Sequence, residues 1–147
     1  MGKVDGIGIL VVDDEQADRS QIADALIAAG YPVLEASSYS DAMAVFDLNL
    51  HAITLLIADV ALPDGNGCAL AVAMQKQKQD LRVLFVSFGV GAESCKYYGL
   101  TLPDLHFLKK PFTGTSLVRR VRKILKSTKP FPKLEIPRTL TSSGQPA

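Results

Sequence analysis

Four short apolar runs punctuate the chain, and each closes on a polar or charged residue. Ile9-Leu10-Val11-Val12 leads into Asp13-Asp14, Leu55-Leu56-Ile57-Ala58 into Asp59, Val83-Leu84-Phe85-Val86 into Ser87, and Phe107-Leu108-Lys109 into Lys110-Pro111. Hydrophobicity that is continuous over so few residues predicts strands covered on both faces, as in a parallel sheet. A fifth strand is predicted over Tyr31-Pro32-Val33-Leu34-Glu35-Ala36.

Helical periodicity fills the gaps between the runs. Ile22, Ala25, Leu26 and Ala29 share one face of a first helix, closed by Gly30. Ser40, followed by Asp41, is the expected cap of a second helix carrying Ala42, Val45 and Phe46. A third helix is expected from Cys68 to about Gln79, with Leu70, Val72, Ala73 and Met74 as its apolar members. Between Gly89-Val90-Gly91 and Pro103 only a short or irregular helix fits, around Ala92 to Tyr98. After a last strand at Leu105 to Leu108, a helix from Thr115 to about Ser127 turns Leu117, Val118, Val121, Ile124 and Leu125 inward. This order predicts an α/β fold, a (βα)5 doubly wound sheet of five parallel strands with helices on both faces. From Thr128 onward, Lys129-Pro130-Phe131-Pro132 and the Ser, Gly and Pro residues near the end interrupt both periodicities. The expected organisation is one domain over residues 6–127 and an extended or disordered tail over 128–147.

Composition changes this picture little. Apolar residues make up 48% of the 147 positions and charged residues 21%, ordinary values for a globular domain. No apolar stretch is long enough to span a bilayer, and the N-terminus lacks the pattern of a signal peptide. A cytoplasmic setting with no membrane association is the expectation. Cys68 and Cys95 form no CxxC or Cys/His metal spacing, so two buried or half-buried free thiols are expected. Net charge is +1, yet nine of the 16 basic residues lie between Asp104 and Glu135, where no acid occurs. The plainer reading is a solvated helix face, which could also steer an acidic partner.

The strand ends carry the chemistry. In an open parallel sheet the carboxyl ends of all strands face one crevice. Asp13, Asp14, Asp59, Ser87 and Lys110 therefore meet there. Two carboxylates 4 Å apart repel by about 4 kcal/mol at an effective dielectric near 20, so such a cluster needs a proton, a cation or a metal. Oxygen-only donors favour a hard ion, and Mg²⁺ binds through one or two carboxylates, water and phosphate. A cis Lys110–Pro111 bond would aim the lysine into this crevice. There it could balance the acids or pair with a phosphoryl oxygen.

The ILVVDDE run, the D-x-x-L-P-x-x-x-G loop from Asp59 to Gly67, VLFVS and FLKKPF resemble, in this order, the receiver domains of bacterial two-component signalling. The resemblance implies a flavodoxin-like receiver fold and a phosphorylated signalling domain rather than an enzyme acting on a separate substrate. It implies Asp59 as phosphoryl acceptor, with Asp13, Asp14, Asp59 and the Ala61 carbonyl around Mg²⁺. Lys110 would contact the phosphate. Ser87 would rotate toward a phosphoryl oxygen, and Phe107 would be the aromatic that changes rotamer. The implied partners are a sensor histidine kinase or histidine phosphotransfer protein and a downstream protein whose identity the sequence does not give. The stretch from Leu81-Arg82-Val83 to Leu117-Val118-Arg119-Arg120 most resembles receivers at the C-terminus of hybrid sensor histidine kinases. Phe88 departs from the pattern, because the residue after the hydroxyl is usually small in this family. It borders the approach to the acceptor, so the ring is expected to restrict water and prolong the phosphorylated state.

Other classes fit less well. A phosphatase with an aspartate nucleophile normally needs D-x-D and a cap, whereas here Asp13 and Asp14 are adjacent. The basic C-terminal stretch carries no DNA-binding motif, which argues against nucleic acid. The alternative kept is a phosphorylation-independent receiver-like interaction module.

Overall fold

The computed structural model describes residues 8–88, 95 and 102–134. In chain order the elements are β1 (Gly8–Val12), α1 (Gln16–Ala28), β2 (Val33–Ala36), α2 (Tyr39–Leu48) and β3 (Ile53–Asp59). A small antiparallel pair, β4 (Ala61–Leu62) and β5 (Gly65–Asn66), precedes α3 (Gly67–Gln77). Then come β6 (Arg82–Phe88), a 3-10 turn (Asp104–His106), β7 (Phe107–Lys110) and α4 (Gly114–Lys126). Five strands form one parallel sheet in the order β2-β1-β3-β6-β7. The expected helix around Ala92 to Tyr98 lies outside the described residues except for Cys95.

Side chains alternate across a strand, and here both faces are apolar. Ile9 and Val11, Leu55 and Ile57, Leu84 and Val86 pack beneath Ile22 and Leu26 of α1 and Leu117, Val121 and Ile124 of α4. Their neighbours Leu10 and Val12, Leu56 and Ala58, Val83 and Phe85 pack against Phe46 of α2 and Leu70 and Met74 of α3. Two cores therefore clamp the sheet, which is why the runs read as unbroken hydrophobicity.

Helix ends differ from expectation in detail. Gly30 has φ +98°, and with Tyr31 it returns hydrogen bonds to the Ile27 and Leu26 carbonyls, closing α1 as predicted. The cap of α2 is Ser38, not Ser40: its hydroxyl accepts from the Asp41 N–H. Ser40 instead donates to Asp64, whose carboxylate also takes the Tyr39 and Ser40 N–H groups. These bonds hold the Asp64 carboxyl below the usual carboxylate range and tie the loop after β3 to the start of α2. The last strand begins at Phe107 rather than Leu105, because Asp104–His106 close a 3-10 turn. Arg120 is not a solvated cation. It donates to the carbonyls of Leu105 and Phe107 and fastens that turn to α4.

The expectation of free thiols is overturned. Cys68 and Cys95 are joined in a disulfide with Cα atoms 6.0 Å apart. Both are fully buried in the core beneath α3, and this packing overcomes a sequence separation of 27 that gives no pairing signal.

The first part of the tail has no helix or strand but is packed. Phe131 and Leu134 are buried, Phe131 with its ring edge-on to His106 at 4.7 Å. Burial, with the nearby charges of Arg120 and Arg82, holds His106 below the usual histidine range. Gln75, buried in α3, donates to the Pro132 carbonyl at 3.0 Å and accepts from the Leu134 N–H at 2.5 Å. Because α4 belongs to one core and Phe131 and Leu134 to the other, this segment crosses from one layer to the opposite one.

Removing the Gln75 amide would strand the buried Leu134 N–H and take the donor from the part-buried Pro132 carbonyl. Gln75→Ala is expected to lower the urea-unfolding free energy by about 2 kcal/mol. Leu134→Ala should lose much of its own effect in the Gln75→Ala background, since both act on one contact. Additive losses would show that the tail is not held this way.

Candidate functional site

The ends of β1, β3 and β7 bring three charged residues into contact. Asp13 follows β1 directly, Asp59 ends β3 and Lys110 ends β7. The Lys110 Nζ lies 2.7 Å from Asp13 Oδ2, 2.7 Å from Asp59 Oδ2 and 3.0 Å from Asp18 Oδ2. Asp13, Asp59 and Lys110 are all buried, while Asp14 is exposed at the mouth. The Lys110–Pro111 bond is cis.

Each carboxylate is held by its own loop. Asp13 Oδ1 accepts from the Glu15 N–H and Asp59 Oδ1 from the Ala61 N–H, each at 2.9 Å. Arg19 donates to the Asp13 carbonyl and pairs with Glu35, which steadies the turn from β1 into α1. Capping does not account for the acids, because the N-cap of α1 is Glu15 and makes no side-chain bond there. Gly67 matters for space: a Cβ at this position would come within 2.3 Å of the Asp59 carbonyl oxygen. Its N–H donates to the Val60 carbonyl, so the start of α3 lies directly on the backbone carrying Asp59.

The electrostatics follow from burial. Asp13 is raised above the usual carboxylate range, chiefly by desolvation, with hydrogen bonds from Lys110 and Glu15 opposing the shift. Desolvation also disfavours the Lys110 charge. The hydrogen bonds to Asp13, Asp59 and Asp18 together outweigh it, and the ammonium is held above the ordinary lysine value. The lysine is therefore a fixed internal cation for an acidic cluster.

The donor set suits a hard divalent ion. Asp13, Asp14 and Asp59 each offer an oxygen, and these atoms lie within 4.8 Å of one another. Ala61 adjoins them through its bond to Asp59. Ser87 and Phe88 end β6 beside β7, with Phe88 opposite Lys110 in register. The Ser87 hydroxyl donates to the Phe88 carbonyl at 3.3 Å. The Phe88 ring is 65% exposed and stands 5.4 Å from the Lys110 Nζ, over the outer side of the site. Phe107 is half-buried and stacks on Phe85 at 5.6 Å. Of the residues expected at the site, Asp13, Asp14, Asp59, Ser87, Phe88 and Lys110 lie at the carboxyl ends of the strands, whereas Phe107 stands at the start of β7; Asp18, on α1, is a contact of Lys110 that the sequence does not signal.

Comparison with known proteins agrees with this geometry. A family profile described as the response regulator receiver domain matches residues 9–122. The phosphate regulon transcriptional regulatory protein PhoB of Pseudomonas aeruginosa is 33% identical over 126 residues, covering 85% of this chain and 54% of that protein. The chain spans about half the length of the curated relatives it matches. The non-phosphorylated HemR receiver domain from Leptospira biflexa superposes with a TM-score of 0.70 at 30% identity, covering 86% of this chain and 99% of that one. The receiver domain of the hybrid histidine kinase CckA gives 0.62 at 32% identity, covering 81% and 99%. Regulators and a hybrid-kinase receiver thus match about equally, and the finer likeness to hybrid kinases is not singled out.

Truncating the lysine would leave a buried carboxylate pair with no cation. Lys110→Ala is expected to lower the unfolding free energy by about 3–5 kcal/mol in metal-free buffer. Millimolar Mg²⁺ should restore part of that loss, because a bound ion stabilises the folded state by mass action. Equal losses with and without Mg²⁺ would show that the acids do not bind the ion.

Proposed function

The chain belongs to the response regulator receiver family of two-component signalling, and on that premise we propose that Asp59 is its phosphoryl acceptor. The observation that carries this reading is the buried Lys110 ammonium bridging Asp13 and Asp59 beside the exposed Asp14. In the proposed step an Asp59 carboxylate oxygen attacks phosphorus and forms an O–P bond. The N–P bond of a partner's phosphohistidine breaks, and the imidazole leaves with the electron pair. Lys110 is the donor for a phosphoryl oxygen, and the Ser87 hydroxyl turns from the Phe88 carbonyl toward another. Mg²⁺ is the ion proposed for Asp13, Asp14, Asp59 and the Ala61 carbonyl, where it would supply charge neutralisation at the transferring group.

The product carries about one more negative charge than the carboxylate did. Phe107 is the proposed responding ring, and its stack on Phe85 links the site to the core beneath α3. The proposed donor is a sensor histidine kinase or a histidine phosphotransfer protein, and the readout is binding of a downstream protein. The domain catalyses only its own phosphorylation and dephosphorylation in this reading. No described helix is long and apolar enough to cross a membrane, and a cytoplasmic setting is proposed.

Phe88 is proposed to limit access of water. Its ring covers the outer side of Lys110, and with Asp18, Gln21, Pro111 and Phe112 it walls a cavity of only about 40 Å³. That space admits a water molecule and little more.

Incubation with acetyl phosphate and Mg²⁺ should add about 80 Da, one phosphoryl group, to the wild type. The addition should vanish in Asp59→Asn and with EDTA. A mass gain that survives in Asp59→Asn would move the acceptor elsewhere. Phe88→Ala should dephosphorylate about tenfold faster, equivalent to 1.4 kcal/mol of barrier. An unchanged or slower decay of the labelled protein would remove the ring from the mechanism.

A further inference from the structure

Among the described residues three acceptors surround Lys110, and an ammonium has three N–H donors. The resting site is therefore saturated. Resting on the phosphoacceptor reading, the arrangement raises a question of supply: a phosphoryl oxygen on Asp59 needs a donor that is already taken. The bond to Asp59 weakens as its carboxylate charge passes to the phosphoryl oxygens, and any further phosphoryl contact requires Asp13 or Asp18 to give way.

The three carboxylates are not equally able to leave. The Asp13 side chain is completely buried and that of Asp59 is 12% exposed, whereas that of Asp18 is 29% exposed. Asp18 belongs to the first turn of α1, where the helix dipole favours an anion whether or not it touches the lysine. Its bond is also the longest of the three, 3.0 Å against 2.7 Å. Rotation of this one side chain reaches water, while release of Asp13 would leave a buried charge without its partner.

We propose that Asp18 is a resident competitor for Lys110. In the resting site it occupies the third ammonium donor, and it withdraws toward solvent when the phosphoryl group on Asp59 takes that donor. The O–P bond forms and the donor's N–P bond breaks as described above, and the net gain of about one negative charge adds repulsion against a carboxylate that stays. Asp18 is thus a positioning residue acting through Lys110. It weakens the hold on the phosphoryl group, opposing Phe88, which slows its loss. The Phe88 ring and Asp18 both line the small cavity beside Lys110.

The test is equilibrium binding of trifluoroberyllate, a tetrahedral stand-in for a phosphoryl group on a carboxylate, in saturating Mg²⁺ and followed by fluorine NMR on the full chain. Asp18→Asn and Asp18→Ala should each bind it about tenfold more tightly than wild type, a difference of 1.4 kcal/mol. Thermal midpoints and Mg²⁺ affinity should stay close to wild type, which a merely structural role for Asp18 would not allow. In a Lys110→Ala background the gain should vanish. Equal or weaker binding by both variants overturns the proposal. The same gain with and without Lys110 also overturns it, since Asp18 would then act only as a nearby charge. A wild type that binds no trifluoroberyllate fails the phosphoacceptor reading itself and the competition with it, and is told apart from the other outcomes by the wild-type titration alone.

Discussion

A single ammonium group, Lys110, makes the carboxyl edge of this sheet possible. Without it, Asp13 and Asp59 would face each other inside the protein as two like charges with no cation between them. The lysine can do this only because β7 ends in register with Phe88 of β6, and β6 in turn pairs with β3. Strand order, register and charge balance are therefore one constraint expressed three ways. A shift of the last strand by one residue would turn Lys110 to the opposite face and leave the acids unpaired.

The support for this group lies mostly in backbone rather than in side chains. Asp59 keeps its orientation through the Ala61 N–H, and the bare α-carbon of Gly67 lets α3 start against the Asp59 carbonyl. Asp64 fastens the same loop to the N-terminus of α2. The turn after Asp59 is thus held both by α2, which precedes β3, and by α3, which follows it, so the carboxylate is fixed before any ligand arrives.

Much of this was legible in the residues. The buried strands announce themselves because both faces are apolar, and the acids and the lysine announce themselves because they interrupt that apolarity. Elements defined by local rules came out closely: Gly30 ends its helix as its conformational freedom suggests. What was not legible depends on distance in the chain. Asp18 reads as an ordinary first-turn acid, since nothing local reveals a lysine 92 positions away. Cys68 and Cys95 show no spacing signature and meet only through a shared core. Ser38 and Ser40 are equally good caps by composition, and the choice between them is made by Asp64 from another loop. Pro130 and Pro132 fit the lack of helix and strand over residues 128–134, yet they say nothing of whether Phe131 and Leu134 find a surface.

That last contact alters the geometry of whatever chain lies beyond. Six residues, 128–133, separate the cap of α4 at Ser127 from Leu134, and fully stretched this span would reach about 25 Å from the helix. Clamped by Gln75, they have no such radius. The onward chain leaves from a fixed point against α3, on the face opposite the helix that precedes it. Anything tethered through Leu134 is thereby anchored on the α3 side of the sheet, with the sheet between that anchor and α1. In this protein the tether's origin is set by a glutamine rather than by the end of the last helix.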